Sequence, residues 1–125
     1  MKILIVEDET LIALNIKRFL ERKGYTVLTP VASGEDALNT IQIEHPDVML
    51  LDIRLTGEMT GLDVARKIID LGEVLNIVFM SGYVTHEIIK EALELKPLDF
   101  LEKPIDVHKV VTISVSYTHL RAHET

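Results

Sequence analysis

The chain has 125 residues, 47% of them hydrophobic, which fits one domain with a real core. Its formal net charge of -7 speaks against a nucleic-acid-binding surface, and the absence of cysteine excludes disulfides and thiolate metal sites. No apolar run approaches the roughly 20 residues needed to cross a bilayer, and Glu7, Asp8 and Glu9 follow the first apolar run too closely for a signal peptide, so a cytoplasmic location is expected.

Ile3 to Val6 is a short, largely β-branched run that stops at acids and reads as a strand. Thr10 to Lys23 reads as a helix with Ile12, Ile16, Phe19 and Leu20 on one face, closed by Gly24. Tyr25 to Leu28 is the second predicted strand. Ser33 is placed to cap the next helix, with Asp36 three residues on, Ala37, Leu38 and Ile41 as the apolar stripe and Pro46 as the stop. Val48 to Leu51 is apolar on both faces, the pattern of a strand in the middle of a parallel sheet. A loop rich in Gly and Thr, residues 54–61, leads to a helix with Val64, Ala65, Ile68 and Ile69 inside. Asn76 to Met80, His86 to Leu95 and Leu98 to Leu101 read as strand, helix and strand. A last helix is expected from about Asp106, with Val107, Val110 and Val111 facing inward. Strands and helices alternate five times, which predicts an α/β domain: a five-stranded parallel sheet with helices on both faces.

The pattern fades after Val111. From Thr112 the β-branched residues lower helix propensity, and the last ten residues, SYTHLRAHET, read as a non-native tail of the kind left by cloning or adapter read-through. The domain is therefore expected to occupy residues 1–113 and the tail 114–125. His119 and His123 have the i, i+4 spacing of helical metal ligands, but no third ligand stands nearby.

Ligands of a parallel α/β sheet bind beyond the carboxyl ends of its strands. Glu7 and Asp8 follow the first strand, Asp52 ends the third, Ser81 and Gly82 follow the fourth, and Lys103 and Pro104 follow the fifth. Each has a plain structural reading: Asp8 as a helix cap, Asp52 as a loop acid, Ser81 as a turn residue, Lys103 as a solvated charge. Their joint appearance at strand ends would then need several coincidences. Three neighbouring carboxylates repel one another without a cation, and oxygen-only ligands select a hard ion such as Mg²⁺ (or Mn²⁺). Asp52 can then act as a carboxylate nucleophile toward phosphorus, with Lys103 neutralising phosphoryl oxygens and Ser81 donating a hydrogen bond to one of them.

With these pieces in order, the sequence resembles the receiver domain of two-component response regulators from Lys2 to about Val111. The matching stretches are ILIVEDE (3–9), LLDIRL (50–55), MSGY (80–83) and FLEKP (100–104). Asp8 and Asp52 lie 44 positions apart and Ser81 and Lys103 22 apart, as in that family. The resemblance implies a flavodoxin-like doubly wound sheet in strand order 2-1-3-4-5. By position it implies Asp52 as phosphoacceptor and Lys103 as the phosphate-binding lysine, usually followed by a cis-proline, here Pro104. Metal ligation falls to Asp8 directly, to Glu7 through water, to Asp52 and to the backbone carbonyl of Arg54. Ser81 is implied as the switch hydroxyl and Phe100 as the switch aromatic. Arg54 and Tyr83 occupy the two positions that flank the phosphoryl group in the family and are expected to modulate its lifetime. The implied partners are a sensor histidine kinase or phosphotransfer protein, with a homodimer or another partner on the helix 4/strand 5/helix 5 face, and neither nucleic acid nor membrane. The chain departs from the family in a loop, RLTGEMTG, about one residue longer than usual, and in a last helix that is truncated or overwritten.

Three rival readings fit less well. An aspartyl phosphohydrolase would want a second Asp two residues past the nucleophile, where Arg54 stands, and a substrate pocket; the expectation is therefore a phosphoacceptor and not an enzyme. A flavin binder would want a Ser/Thr/Gly-rich phosphate loop where Glu7-Asp8-Glu9 stands. A degenerate receiver would not need the full set of acids, hydroxyl and lysine.

Overall fold

A computed structural model describes residues 1–113; the expected tail and its two histidines lie outside the described residues. The elements run β1 (Lys2–Val6), α1 (Thr10–Arg22), β2 (Thr26–Val27), α2 (Gly34–Glu44), β3 (Val48–Asp52), α3 (Gly61–Asp70), β4 (Asn76–Ser81), α4 (His86–Glu94) and β5 (Asp99–Glu102). A fifth helix, α5, begins the last segment and is helical over 107–113. The strands form one parallel sheet in the order β2-β1-β3-β4-β5, as the family resemblance implied.

The continuous apolar runs of the central strands follow from burial on both faces. Successive side chains alternate, so Leu4 and Val6 enter a core with Ala37, Ile41, Val64, Ala65, Ile68 and Ala92 of α2, α3 and α4. Ile3 and Ile5 enter a second core with Ala13, Ile16 and Leu20 of α1 and Val110 of α5. Val107, Val110 and Val111 face inward as expected, Val110 fully buried.

Two expectations are corrected. Strand β2 covers Thr26–Val27 and not Tyr25 to Leu28. The Tyr25 amide is used at the end of α1, where it donates to the Leu20 carbonyl at 3.1 Å while Gly24 adopts a φ of 93°. Beyond Val27 the chain keeps touching β1 through Leu28 N to Ile3 O (2.9 Å) and Val31 N to Ile5 O (3.0 Å). Pro30 between them has no amide to donate. The second correction is Ile69, which is 50% exposed. The inner face of α3 is carried by Leu62, Val64, Ala65 and Ile68, and Ile69 sits one helical step past it.

Helix starts hold the loops above the sheet in place. Ser33 Oγ accepts from Asp36 N at 3.2 Å, as the sequence indicates. Thr60 and Asp63 form a reciprocal capping box at α3 that the sequence reading did not single out. Gly61 then lies against the end of β3: its amide donates to Ile53 O at 2.7 Å, and a Cβ there would collide with the Asp52 and Ile53 backbones. Among the described residues no helix is long and apolar enough to cross a membrane.

Candidate functional site

Strands β1, β3, β4 and β5 bring five polar side chains to one end of the sheet. Asp52 and Ser81 are the last residues of their strands, each buried, and Glu7 directly follows β1, buried to 2% exposure. Asp8 is exposed. One carboxylate oxygen from each of Glu7, Asp8 and Asp52 lies within 4.8 Å of the other two.

Lys103 enters this crevice from the loop after β5. Its Nζ donates to Asp52 Oδ2 at 2.7 Å and lies 2.6 Å from Glu7 Oε1, an ion pair by distance to which no hydrogen bond is aligned. The Lys103 amide donates to Ser81 O at 2.8 Å, the Lys103–Pro104 peptide is cis, and the lysine stem passes beside Gly82. Three of the four remaining carboxylate oxygens have a partner within the chain. Asp52 Oδ1 accepts from Arg54 N (3.0 Å), Glu7 Oε2 from Glu9 N (3.2 Å), and Asp8 Oδ2 from Thr56 Oγ1 (3.0 Å).

One lysine therefore faces three acids. Burial pushes the Glu7 carboxyl up from its ordinary 4.5 to about 7; Lys103 opposes this and neighbouring Asp52 adds to it. For Lys103, burial acts to lower the ammonium pKa, but the pairing with Asp52 and Glu7 outweighs it and the net shift is upward. An all-oxygen set in which three carboxylates share one lysine carries a surplus of negative charge and fits a hard divalent cation.

The Glu7 shift has a thermodynamic consequence. Between pH 4.5 and about 7 the folded chain keeps a proton on Glu7 that the unfolded chain releases, so metal-free stability should fall as pH rises through that window. Urea melts in chelator at pH 5 and pH 7.5 check this, with Glu7→Gln flattening the trend; an unchanged slope in Glu7→Gln would assign it to other groups.

Ser81 Oγ donates to Tyr83 O at 3.0 Å and so has an internal partner. Phe100 is half-buried, paired in register with Phe79, their ring centroids 6.4 Å apart. Arg54 and Tyr83 are both exposed, and they meet each other: Arg54 Cζ lies 5.5 Å from the Tyr83 ring centroid. Thr56 and Gly61 are the site neighbours that sequence reasoning missed. The Thr56–Asp8 contact spans 48 residues and leaves no local signal; Gly61 was visible only as one glycine of a loop.

A family profile described as a response regulator receiver domain matches residues 3–114. Sporulation initiation phosphotransferase F of Bacillus subtilis is 29% identical over 122 residues, covering 98% of this chain and 97% of that protein. The positive alginate biosynthesis regulatory protein of Pseudomonas aeruginosa is 36% identical over 107 residues, 84% of this chain, of which the chain spans only 42% of that protein's length. The crystal structure of a CheY-like response regulator receiver domain protein from Methanospirillum hungatei superposes with a TM-score of 0.89 at 26% identity, covering 99% of this chain and 98% of the other.

Proposed function

Because the chain belongs to the response regulator receiver family, we propose that it accepts a phosphoryl group on Asp52 in a Mg²⁺-dependent reaction and alters its α4/β5 surface in response. The observation that carries this reading is the cluster of Glu7, Asp8 and Asp52 with Lys103 bonded to the Asp52 carboxylate. The donor is a phosphohistidine of a sensor kinase or phosphotransfer protein. An Asp52 oxygen attacks phosphorus, the bond to the imidazole nitrogen breaks, and the electron pair leaves with that nitrogen. Lys103 follows the negative charge from the carboxylate onto the phosphoryl oxygens. Asp8, Asp52 and the Arg54 carbonyl, with Glu7 through water, would hold Mg²⁺, which would supply further charge neutralisation for the same oxygens. Intact-mass measurement after exposure to acetyl phosphate tests the function: one phosphoryl group is gained with Mg²⁺ and none in chelator. Equal gain in chelator would overturn the metal requirement.

For the switch, Ser81 exchanges its Tyr83 carbonyl partner for a phosphoryl oxygen, and Phe100 moves inward into the space vacated. This biases a two-state equilibrium, and the altered face, α4 with β5, is where a partner or second copy docks. Beryllofluoride, a phosphoryl mimic, should change amide exchange across residues 81–103; an identical exchange pattern there would remove the coupling.

The Arg54–Tyr83 pair bears on lifetime. Hydrolysis needs a water in line behind phosphorus, and neither side chain offers a carboxylate base to activate it. Contact between the two favours a joined cover over two independent solvated chains. Phosphate release from purified phosphoprotein should be slow and should accelerate several-fold in Arg54→Asn and in Tyr83→Ala. Equal or slower release in both would show that these side chains do not guard the site.

A further inference from the structure

Resting on the reading of Glu7, Asp8 and Asp52 as a divalent-cation site, we infer that Thr56 is a positioning residue for that cation: its hydroxyl holds the Asp8 carboxylate in the orientation that presents the other oxygen to the metal. Asp8 is the one exposed acid of the three, so burial does not fix its side chain as it fixes Glu7 and Asp52. Among the described residues, what holds it is the hydrogen bond from Thr56 Oγ1 to Asp8 Oδ2 at 3.0 Å. The contact occupies Oδ2 and leaves Oδ1 for a ligand.

Thr56 is itself anchored. Its backbone pairs with Ser33 in an isolated parallel bridge, and Ser33 is tied down by capping α2 through Asp36 N at 3.2 Å. Two residues earlier in the same loop, Arg54 N donates to the acceptor carboxylate, Asp52 Oδ1, at 3.0 Å. One short loop thus orients both an acid of the cation cluster and the acceptor, and it is braced from the β2–α2 side. A free aspartate on the surface would have to surrender side-chain rotation when it binds a cation; a hydroxyl donor that has already fixed it removes that loss. Hydrogen-bond partners of ligating carboxylates act this way in metal sites generally, and their removal costs about 10-fold or more in affinity.

The test is Mn²⁺ titration, followed by loss of the free-ion electron paramagnetic resonance signal, on wild type, Thr56→Val, Thr56→Ser and Asp8→Ala. Thr56→Val keeps the shape and removes the donor, so it should weaken Mn²⁺ binding by about 10-fold. Thr56→Ser restores the donor and should bind nearly as wild type does. Metal-free melting of Thr56→Val should match wild type, because both partners are exposed; a purely structural role for the hydroxyl would instead lower it. Wild-type affinity in Thr56→Val, with Asp8→Ala unable to bind, would overturn the positioning role while leaving the cation site standing. Wild-type affinity in Asp8→Ala would overturn both.

Discussion

Asp52→Asn should take up no phosphoryl group from acetyl phosphate under conditions in which the wild type is labelled to near one equivalent. An amide is a far weaker nucleophile than a carboxylate and cannot form the acyl phosphate. The variant should still fold. Asn keeps the oxygen that accepts from Arg54 N and puts an NH₂ where Oδ2 accepted from Lys103, so the ammonium turns to Glu7, which remains beside it at 2.6 Å. Loss of labelling with a native melting profile is therefore the expected pair of results. Labelling equal to wild type would move the acceptor elsewhere.

The second large effect belongs to Lys103. Its Nζ is the cation that meets both buried carboxylates, with Glu7 and Asp52 side chains 0% and 4% exposed. Lys103→Met leaves both acids without a counter-charge. Breaking a buried pair from one side typically costs 3–5 kcal/mol. The loss here should be nearer about 2–3 kcal/mol, because Glu7 can take up a proton and the Lys103 side chain is 17% exposed. The stability gained on adding Mg²⁺ should be larger in the variant than in wild type, because the ion also stands in as the missing counter-charge, whereas a packing defect would leave that gain unchanged. Phosphoryl uptake should fall by about 10²–10³-fold, the effect of removing one charge-stabilising donor from a transition state. Urea melts with and without Mg²⁺ and a labelling time course measure the two effects. A variant as stable as wild type in chelator would mean that the acids are not held by Lys103.

Most of this architecture is legible in the sequence because burial on two faces leaves a strong mark. Val48 to Leu51 carried the pattern of a central strand, which the structure extends to Asp52, and parallel strands bring the acids and the lysine at their ends to one edge of the sheet. What escaped was set by competition between local devices. Tyr25 has the composition of a strand residue, yet its amide is taken by the end of α1. Ile69 fits an apolar stripe by composition but lies past the face that meets the sheet. Contacts between loops leave no periodic signal at all. Thr56 with Asp8, and Arg54 with Tyr83, are set by where two or three loops happen to meet above the sheet, and only coordinates show them. The acidic cluster was legible as a set of residue types; the arrangement within it, with Glu7 buried beside Lys103 and Asp8 exposed on a threonine, was not.

The proposed switch depends on Asp52 carrying the phosphoryl group. Its most direct test is to label the wild-type chain with acetyl phosphate and Mg²⁺, reduce the acyl phosphate with borohydride to a stable alcohol, digest, and map the altered residue by fragment mass. A single reduced position is expected, Asp52, absent when Mg²⁺ is withheld. Reduction at Asp8, at Glu7 or at any residue outside the crevice, with Asp52 unaltered, would contradict it.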